Sequence, residues 1–541
     1  MTQYSKSALA RHTRLALLAM TLGLAACGGD GDDTNTNAPG AGGLATDASI
    51  TTEQAQTSAK SASQPFSNVW DAVSGVVADS KAADVALGAT GFDDVSVAIG
   101  AGGGAEAGAV VAKHAGEIHS DSDTTAGSDA SAAGETPTRS DSQSSGEASA
   151  SADAPANGGE ESQSQLDAAF SAFLSNPTRD GNTLTYRPDV NLACSDETIA
   201  EVLAEAGDAQ TQADAKAICE TLVPNITVVQ TLTSETEGTL TYRYRDAAPF
   251  VVGYAANSVY FQVEFADTKT ALQAMAQDLN EPLAEGDLPS TFDGAIRLTA
   301  TETGSNAGSI RLSVPEAVAV SGATDLGEAS FTLAATDKLI EIGGDEAAGT
   351  AFVEMDVGTV SATLPDIDAG GAPHLWELAM AAITGRIDVN NNTQQLTVTN
   401  LGFGGEPTTV RIDGQEALRV ALQNFGATVE GNTSLITLDT ALDFSMSVAN
   451  VFGMMDDFFL DATDPSDPSL TGSLAVSAPA GTKMSVLNPG ATTPVTKVTA
   501  GGPIDMQGSG EFEGTLSLPV DSCFVQDGST VMPVAPMQCP Q

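Results

Sequence analysis

Strict two-residue alternation constrains this chain more than any other feature. Ile436, Leu438, Thr440, Leu442, Phe444, Met446 and Val448 fall on one side of an extended chain, and Thr437, Asp439, Asp443, Ser445 and Ser447 on the other. Successive side chains of a strand point to opposite faces, so this pattern predicts one buried face and one wet face. The run from 436 to 448 exceeds the usual strand of ~5–6 residues. Leu240, Tyr242 and Tyr244 alternate in the same way, as do Val259, Phe261, Val263 and Phe265, Ile296 and Leu298, and Ile310, Leu312 and Val314. Turn residues separate these runs: Gly304-Ser305-Asn306, Asn390-Asn391-Asn392, Asp413-Gly414 and Glu430-Gly431-Asn432. Short connections imply antiparallel neighbours. The expected fold is mainly β: a large antiparallel sheet system over residues 225–541 with long amphipathic strands and a few packing helices. Short echoes, Ala-Ile-Arg-Leu at 295–298, Ser-Ile-Arg-Leu at 309–312 and Val-Arg-Ile at 410–412, are strand-like.

Two helices are expected to cover the buried face. Leu272, Met275, Ala276 and Leu279 mark one. The other opens at Ala372-Pro373-His374 and carries Leu375, Trp376, Leu378, Ala379, Met380 and Ile383. Upstream, residues 166–224 read as a helical hairpin. Leu166, Ala169, Phe170, Phe173 and Leu174 keep helical spacing up to Asn176-Pro177, and Ile199, Val202, Leu203 and Ala206 line a second helix after Ser195. A further helix spans about Ala209 to Leu222, and a Cys194–Cys219 disulfide would close the hairpin. Cys523 and Cys539 bracket a Pro-rich C-terminal loop. Four cysteines allow three pairings, and the nearest-neighbour pairing is the one expected here.

The N-terminus gives an address. Lys6, Arg11 and Arg14 precede an apolar run from Leu15 to Ala26, which ends Leu24-Ala25-Ala26-Cys27 before Gly28 and Gly29. This resembles the lipobox of bacterial lipoproteins. The resemblance covers the signal peptide, residues 1–26, alone. It implies that Cys27 is acylated and becomes the N-terminus of the mature chain. Gly28, where an Asp tends to retain such proteins at the inner membrane, points to the outer membrane. Several acyl chains on one residue would supply the membrane partner, since one chain anchors only marginally.

Residues 27–165 then read as a tether. Residues 121–165 contain no Leu, Ile, Val, Met or aromatic, and carry nine acids against one base, Arg139. Such a segment buries too little apolar area to offset its ordering entropy. One island interrupts it: Phe66, Val69, Trp70, Val73, Val76 and Val77 suggest a short helix near 65–80.

The formal charge of −50 excludes nucleic acid as a partner, because phosphate backbones would be repelled. It also disfavours electrostatic docking on an anionic membrane. Catalytic signatures are scarce. His374 is the single His after Leu166, so a Ser-His-acid triad would have to use it. His114 and His119 sit in the tether without further ligands. No cofactor is expected apart from a candidate calcium. Asp461, Asp464 and Asp467 recur every third residue and offer hard oxygen ligands, whereas Asp388, Asn390 and Asn392 match three ligand positions of a calcium loop that lacks its Gly and final Glu. A hairpin turn is the better reading of the second set. Three roles follow: an outer-membrane-anchored binding or structural module; a carrier holding an apolar ligand in a curved-sheet groove; and a carboxylate-dependent hydrolase at the cell surface. A lipid-exposed barrel fits poorly, because aromatics make up 5% of the chain and such barrels carry aromatic girdles.

Overall fold

The computed structural model describes most of residues 173–534, leaving out chiefly 200–208, 284–287, 368–372, 450–470 and 488–494, and adds Gln54 and Cys539. The tether, the island near 65–80 and Cys27 lie outside the described residues, as do Leu166 to Phe170 and Val202 to Ala206.

The fold is mainly β and antiparallel throughout. It opens with a hairpin, β1 (Thr178–Asp180) and β2 (Thr183–Tyr186), within the 166–224 segment read as a helical hairpin and between its expected helices. β2 joins the main sheet by pairing with β3 (Ile226–Leu232), which explains the correction: Leu184 and Tyr186 alternate and are both fully buried. A helical turn at Val190–Ala193 and helix α1 (Ala209–Leu222) follow. The Cys194–Cys219 disulfide joins them at a Cα separation of 5.7 Å, within a small core of Phe173, Ala193, Ile199 and Val223. A meander then runs through β4 (Gly238–Tyr244), β5 (Ala247–Ala255) and β6 (Ser258–Glu264). Helix α2 (Phe265–Asp278), the expected 272–279 helix, crosses to β7 (Thr291–Gly304) and β8 (Ala307–Thr324). The Asp278 carboxylate fixes the end of α2 by accepting from Tyr244 Oη at 2.6 Å and Asn225 Nδ2 at 3.0 Å and by pairing with Arg245.

From β8 onward each long strand is creased in its middle. Val314 and residues 307–312 of β8 pair with β10 (Thr336–Asp345), while residues 318–324 pair with β9 (Gly327–Leu333). The same split recurs along the chain. A first wall continues from β10 through β11 (Thr350–Val357), β14 (Ile383–Asn390), β15 (Gln395–Phe403), β18 (Phe425–Glu430) and β19 (Leu435–Leu438). It ends with β22 (Lys483–Val486), β23 (Val495–Ala500), β26 (Cys523–Asp527) and β27 (Thr530–Val534). A second wall runs from β9 through β12 (Val360–Ile367), β13 (Pro373–Met380), β16 (Thr408–Ile412) and β17 (Gln415–Leu422). It ends with β20 (Leu442–Val448), β21 (Gly472–Ala478), β24 (Ile504–Gly510) and β25 (Gly514–Leu518). From β8 onward the described strands form one long meander folded along a common line, each contributing one half to each wall.

The expected thirteen-residue strand is therefore two strands, β19 and β20, on different walls. Hydrogen bonds at the break hold the chain across to its neighbour: Asp439 N–H donates to Gly426 O at 2.8 Å, and the Thr440 hydroxyl accepts from Gly426 N–H at 2.7 Å. Similar bonds recur at other breaks, from Ala334 N–H to Thr359 O (3.0 Å) and from Gly404 N–H to Ala382 O (2.7 Å). Break residues are small or conformationally special. Gly501 has φ +69°, and a Cβ there would lie 2.6 Å from Thr482 Cα, so an L-residue is excluded twice over.

The second expected helix is also a strand. Trp376, Leu378 and Met380 alternate within β13, which pairs with β12 on one side and β16 on the other. A short apolar run fits both periods, and the two neighbouring strands decide it. All four expected turns join strands as expected.

Candidate functional site

Alternation gives the creased sheet one apolar face from end to end. Across the first wall a single register row carries Tyr254, Val259, Ala300, Ile310, Ile342, Val353 and Ile387. Across the second, Phe331, Ala362, Leu378, Val410, Leu418 and Val448 form the matching row. These faces look inward over the crease, because Ala427, Leu438 and Val498 of the first wall share a buried cluster with Ala478, Ile504 and Leu518 of the second. Near the hairpin tips of the first wall, Val389, Leu396, Val429 and Val486 are buried as well.

Cover is missing on one stretch of the second wall. Leu364 of β12 is 56% exposed and Phe331 of β9 is 39% exposed, both on the inward face. Leu364 stands directly opposite Trp376, which is opposite Ile412; Trp376, Leu378, Val410 and Ile412 are each only partly buried. Two covered polar atoms on this wall, four residues apart in register, have no hydrogen-bond partner: Trp376 Nε1 and Thr408 Oγ1. Each is dry, and an unsatisfied buried donor costs about 1–3 kcal/mol. Sequence reasoning missed this stretch by assigning Trp376 to a helix; the alternation of Trp376, Leu378 and Met380 was the available signal.

The outward face of the first wall is built differently. Arg311, Glu341, Glu354 and Arg386 occupy one register row across four strands. Glu341 accepts from Ser309 Oγ (2.8 Å) and pairs with Arg311 (3.1 Å) and Lys338 (3.2 Å). Lys338 also pairs with Glu354 (2.9 Å), and Arg386 joins Glu354 (2.9 Å) to Asp388 (2.7 Å). Burial opposes the charge of Glu341, but the bonds from Arg311, Ser309 and Lys338 outweigh it and hold its carboxyl below the usual range. The Lys338 ammonium does the same for Glu354, against partial burial and with help from Arg386. An aromatic device occurs twice beside this row. Phe352 lies over Gly343, and the Arg386 guanidinium sits 4.2 Å from its ring centroid; Tyr260 lies over Gly253, with Arg297 at 4.6 Å. In both, the glycine stands directly opposite the aromatic. Every acid in the row is matched by a base, so this face reads as a stabilising lattice.

The residues singled out from the sequence fall as follows. Cys523 and Cys539 are disulfide-bonded at a Cα separation of 5.6 Å, so all four cysteines of the folded region are paired as expected. Asp388 is held by Arg386, and Asn390 and Asn392 form the β14–β15 turn, where Asn392 Nδ2 donates to Ala348 O at 2.7 Å. Asp461, Asp464 and Asp467 lie outside the described residues. Among the described residues no group of three or more His, Cys, Asp or Glu is arranged to hold a metal ion. His374, at the start of β13 and not of a helix, pairs through Nδ1 with Asp413 Oδ2 at 2.7 Å. Asp413 Oδ1 accepts from Leu375 N–H at 2.9 Å, and that backbone bond, followed by His374, holds its carboxyl below the usual range. The pair straps the β16–β17 turn onto β13.

No family model matches the chain, and neither the curated proteins nor the solved structures contain a significant match.

Proposed function

We propose that this chain is an envelope lipoprotein, anchored at the outer membrane through Cys27, whose creased sheet binds an apolar ligand on its inward face. The observation that carries the reading is the uncovered stretch of the second wall, where Leu364 and Phe331 stand exposed on a face that is otherwise a core. A contiguous apolar patch left open beside a core is a common mark of an interaction surface. The outward row of Arg311, Glu341, Glu354 and Arg386, with Lys338, is internally matched in charge, which leaves the inward face as the candidate for holding a molecule. The lipobox and the long acidic segment after it would connect this module to the membrane.

The test is direct. Protein taken from the envelope under mild conditions is expected to carry a near-stoichiometric apolar molecule, identified by mass spectrometry after solvent extraction. The same spectra would report acylation at Cys27. Protein that arrives empty and then fails to take up any long-chain fluorescent probe would sink the reading.

A further inference from the structure

We propose that two copies of this chain join edge to edge through β25, as an antiparallel pair of identical strands about a two-fold axis. This goes beyond the apolar-ligand reading and does not depend on it. Among the described residues the sheet has four edges, and three of them are blunted. β1 is three residues long, and two of these, Arg179 and Asp180, are charged. The first half of β7 pairs with the second half of β8 and so opens the second wall. Helix α2 covers it: Phe265 stacks on Phe292 with ring centroids 4.7 Å apart, and Lys269 Nζ donates to the Ser290 carbonyl at 2.7 Å. β27 carries Pro533, which has no N–H to offer, and the Cys523–Cys539 disulfide ties the chain beyond it back to β26. Charge, proline, cover and very short length are the ordinary protections of a sheet edge. β25 has neither charge nor proline: its five residues are Gly-Thr-Leu-Ser-Leu. It pairs with β24 alone among the described residues, and Gly514, Thr515 and Ser517 are exposed. Alternate peptide groups of such a strand point away from its one neighbour and can bond a further strand.

Pattern and charge select the occupant. Leu516 stands opposite Met506, which is opposite Val476, so it continues the apolar inward row, while Thr515 and Ser517 face outward. Antiparallel pairing of β25 with its own copy, centred on Leu516, sets the two Leu516 side chains against each other. Thr515 of each copy then meets Ser517 of the other. This register pairs all five residues and keeps inward residues inward, whereas a one-residue slip would exchange the faces. The apolar inward row thereby runs on from one copy into the next. Two chains that each carry a formal charge of −50 repel over most of their surface. β25 has no charged side chain, so no like charges meet within the paired residues. Asp505, opposite Ser517, accepts from its hydroxyl at 2.6 Å, and Asp521, beyond the strand, pairs with Lys497 at 3.5 Å. The contact is isologous and the other edges are blunted, so association stops at two.

The material for the test is the whole mature chain, secreted as a Cys27→Ser variant behind a cleavable signal so that acyl chains do not drive association. Sedimentation velocity from low micromolar to several hundred micromolar protein should show a monomer–dimer equilibrium. It should tighten with added salt, because salt screens the repulsion between two acidic chains. Hydrogen exchange on the same chain, with no substitution in the fold, should show β25 peptides protected at the high concentration and not at the low one. Peptides of β1 and β27 should exchange alike at both. Thr515→Glu combined with Ser517→Glu places two like-charge pairs across the seam and should weaken association by about tenfold. Thr515→Lys combined with Ser517→Lys should do the same. An equimolar mixture of these two variants should recover a dimer at least as tight as wild type, because each acid then faces a base. A chain that stays monomeric throughout the range would overturn the proposal. So would a dimer in which β25 exchanges at one rate at both concentrations, since the contact would then lie elsewhere or the edge would be filled by the chain itself. Variants that associate like wild type, or a mixture that recovers nothing while both variants keep the wild-type unfolding midpoint, would overturn the pairing centred on Leu516.

Discussion

The two walls come from the same strands yet solve burial differently. The first wall is covered on its inward face out to the hairpin tips, where Val486 is 2% exposed, and its outward face is laced by ion pairs and aromatic rings over glycine. The second wall carries Ser outward, in β20 and β21 for instance, and its inward face is buried close to the crease and again at Ala417 and Val448, but open at Phe331 and Leu364. Leu518, the last residue before a break, is 1% exposed; Leu364, several residues out from one, is 56% exposed. Distance from the crease alone does not explain the contrast, because Val448, in the same register row as Phe331, is 9% exposed where Phe331 is 39% exposed. Near the fold line the walls pack against each other, and farther out the second wall is covered at Ala417 and Val448 but left open at Leu364 and Phe331. The same alternation thus yields a core at one point and an open surface at another. A sequence period specifies which face is apolar, not what covers it.

The contrast is broken most severely by truncating matched leucines. Leu396→Ala on the first wall removes a buried side chain and should cost about 2–5 kcal/mol. Leu364→Ala on the second should change stability by no more than about 0.5 kcal/mol. Urea unfolding of both variants reads the difference. A large loss at Leu364 would mean that the position is covered in solution, and the site with it.

What the residues announce locally was legible. Asp413-Gly414 makes its turn because Asn, Asp and Gly tolerate the positive φ that tight hairpins need, and these two have φ 52° and 77°. The α1 and α2 helices follow from apolar spacing, and of the three possible cysteine pairings the expected nearest-neighbour one is observed. The crease was not legible. Leu438, Thr440 and Leu442 keep their parity straight through it, and the bend is fixed by Gly426, which comes from another strand. The β13 strand was misread because Leu375, Trp376 and Leu378 satisfy a helical stripe as well as an alternation; only pairing with β12 and β16, set by contacts remote in sequence, separates them. The candidate site shared that fate, since it depends on which side chains lack cover.

A smaller effect sharpens the outward-face half of the comparison. The Phe352 ring occupies the space where Gly343 would carry a Cβ, and that Cβ would also lie 3.0 Å from the Gly308 carbonyl oxygen. Gly343→Ala must displace the ring from beneath Arg386, and overpacking of this kind costs about 1–3 kcal/mol. Hydrogen exchange followed by mass spectrometry should show faster exchange in β10, β11 and β14, with β12 and β13 unchanged. Loosening of both walls together would show that they do not respond as separate surfaces.

The mildest probe is acid. Glu341 and Glu354 have carboxyl groups held below their unfolded range by the Arg311, Lys338 and Arg386 partners. A group whose folded pKa is depressed contributes stability above its unfolded pKa, about 4.3 for Glu, and loses it as pH falls through the folded value. The urea midpoint should therefore hold steady from pH 7 to about 5 and fall below about 4. Exchange in β10 and β11 of the first wall should rise before exchange in β12 and β13 of the second. Glu341→Gln is expected to start from a lower midpoint at pH 7 and to show a shallower acid slope, because one of the two linked protonations is gone. An unchanged slope would place the acid sensitivity elsewhere in this heavily acidic chain, and the lattice would then be a packing feature more than an electrostatic one.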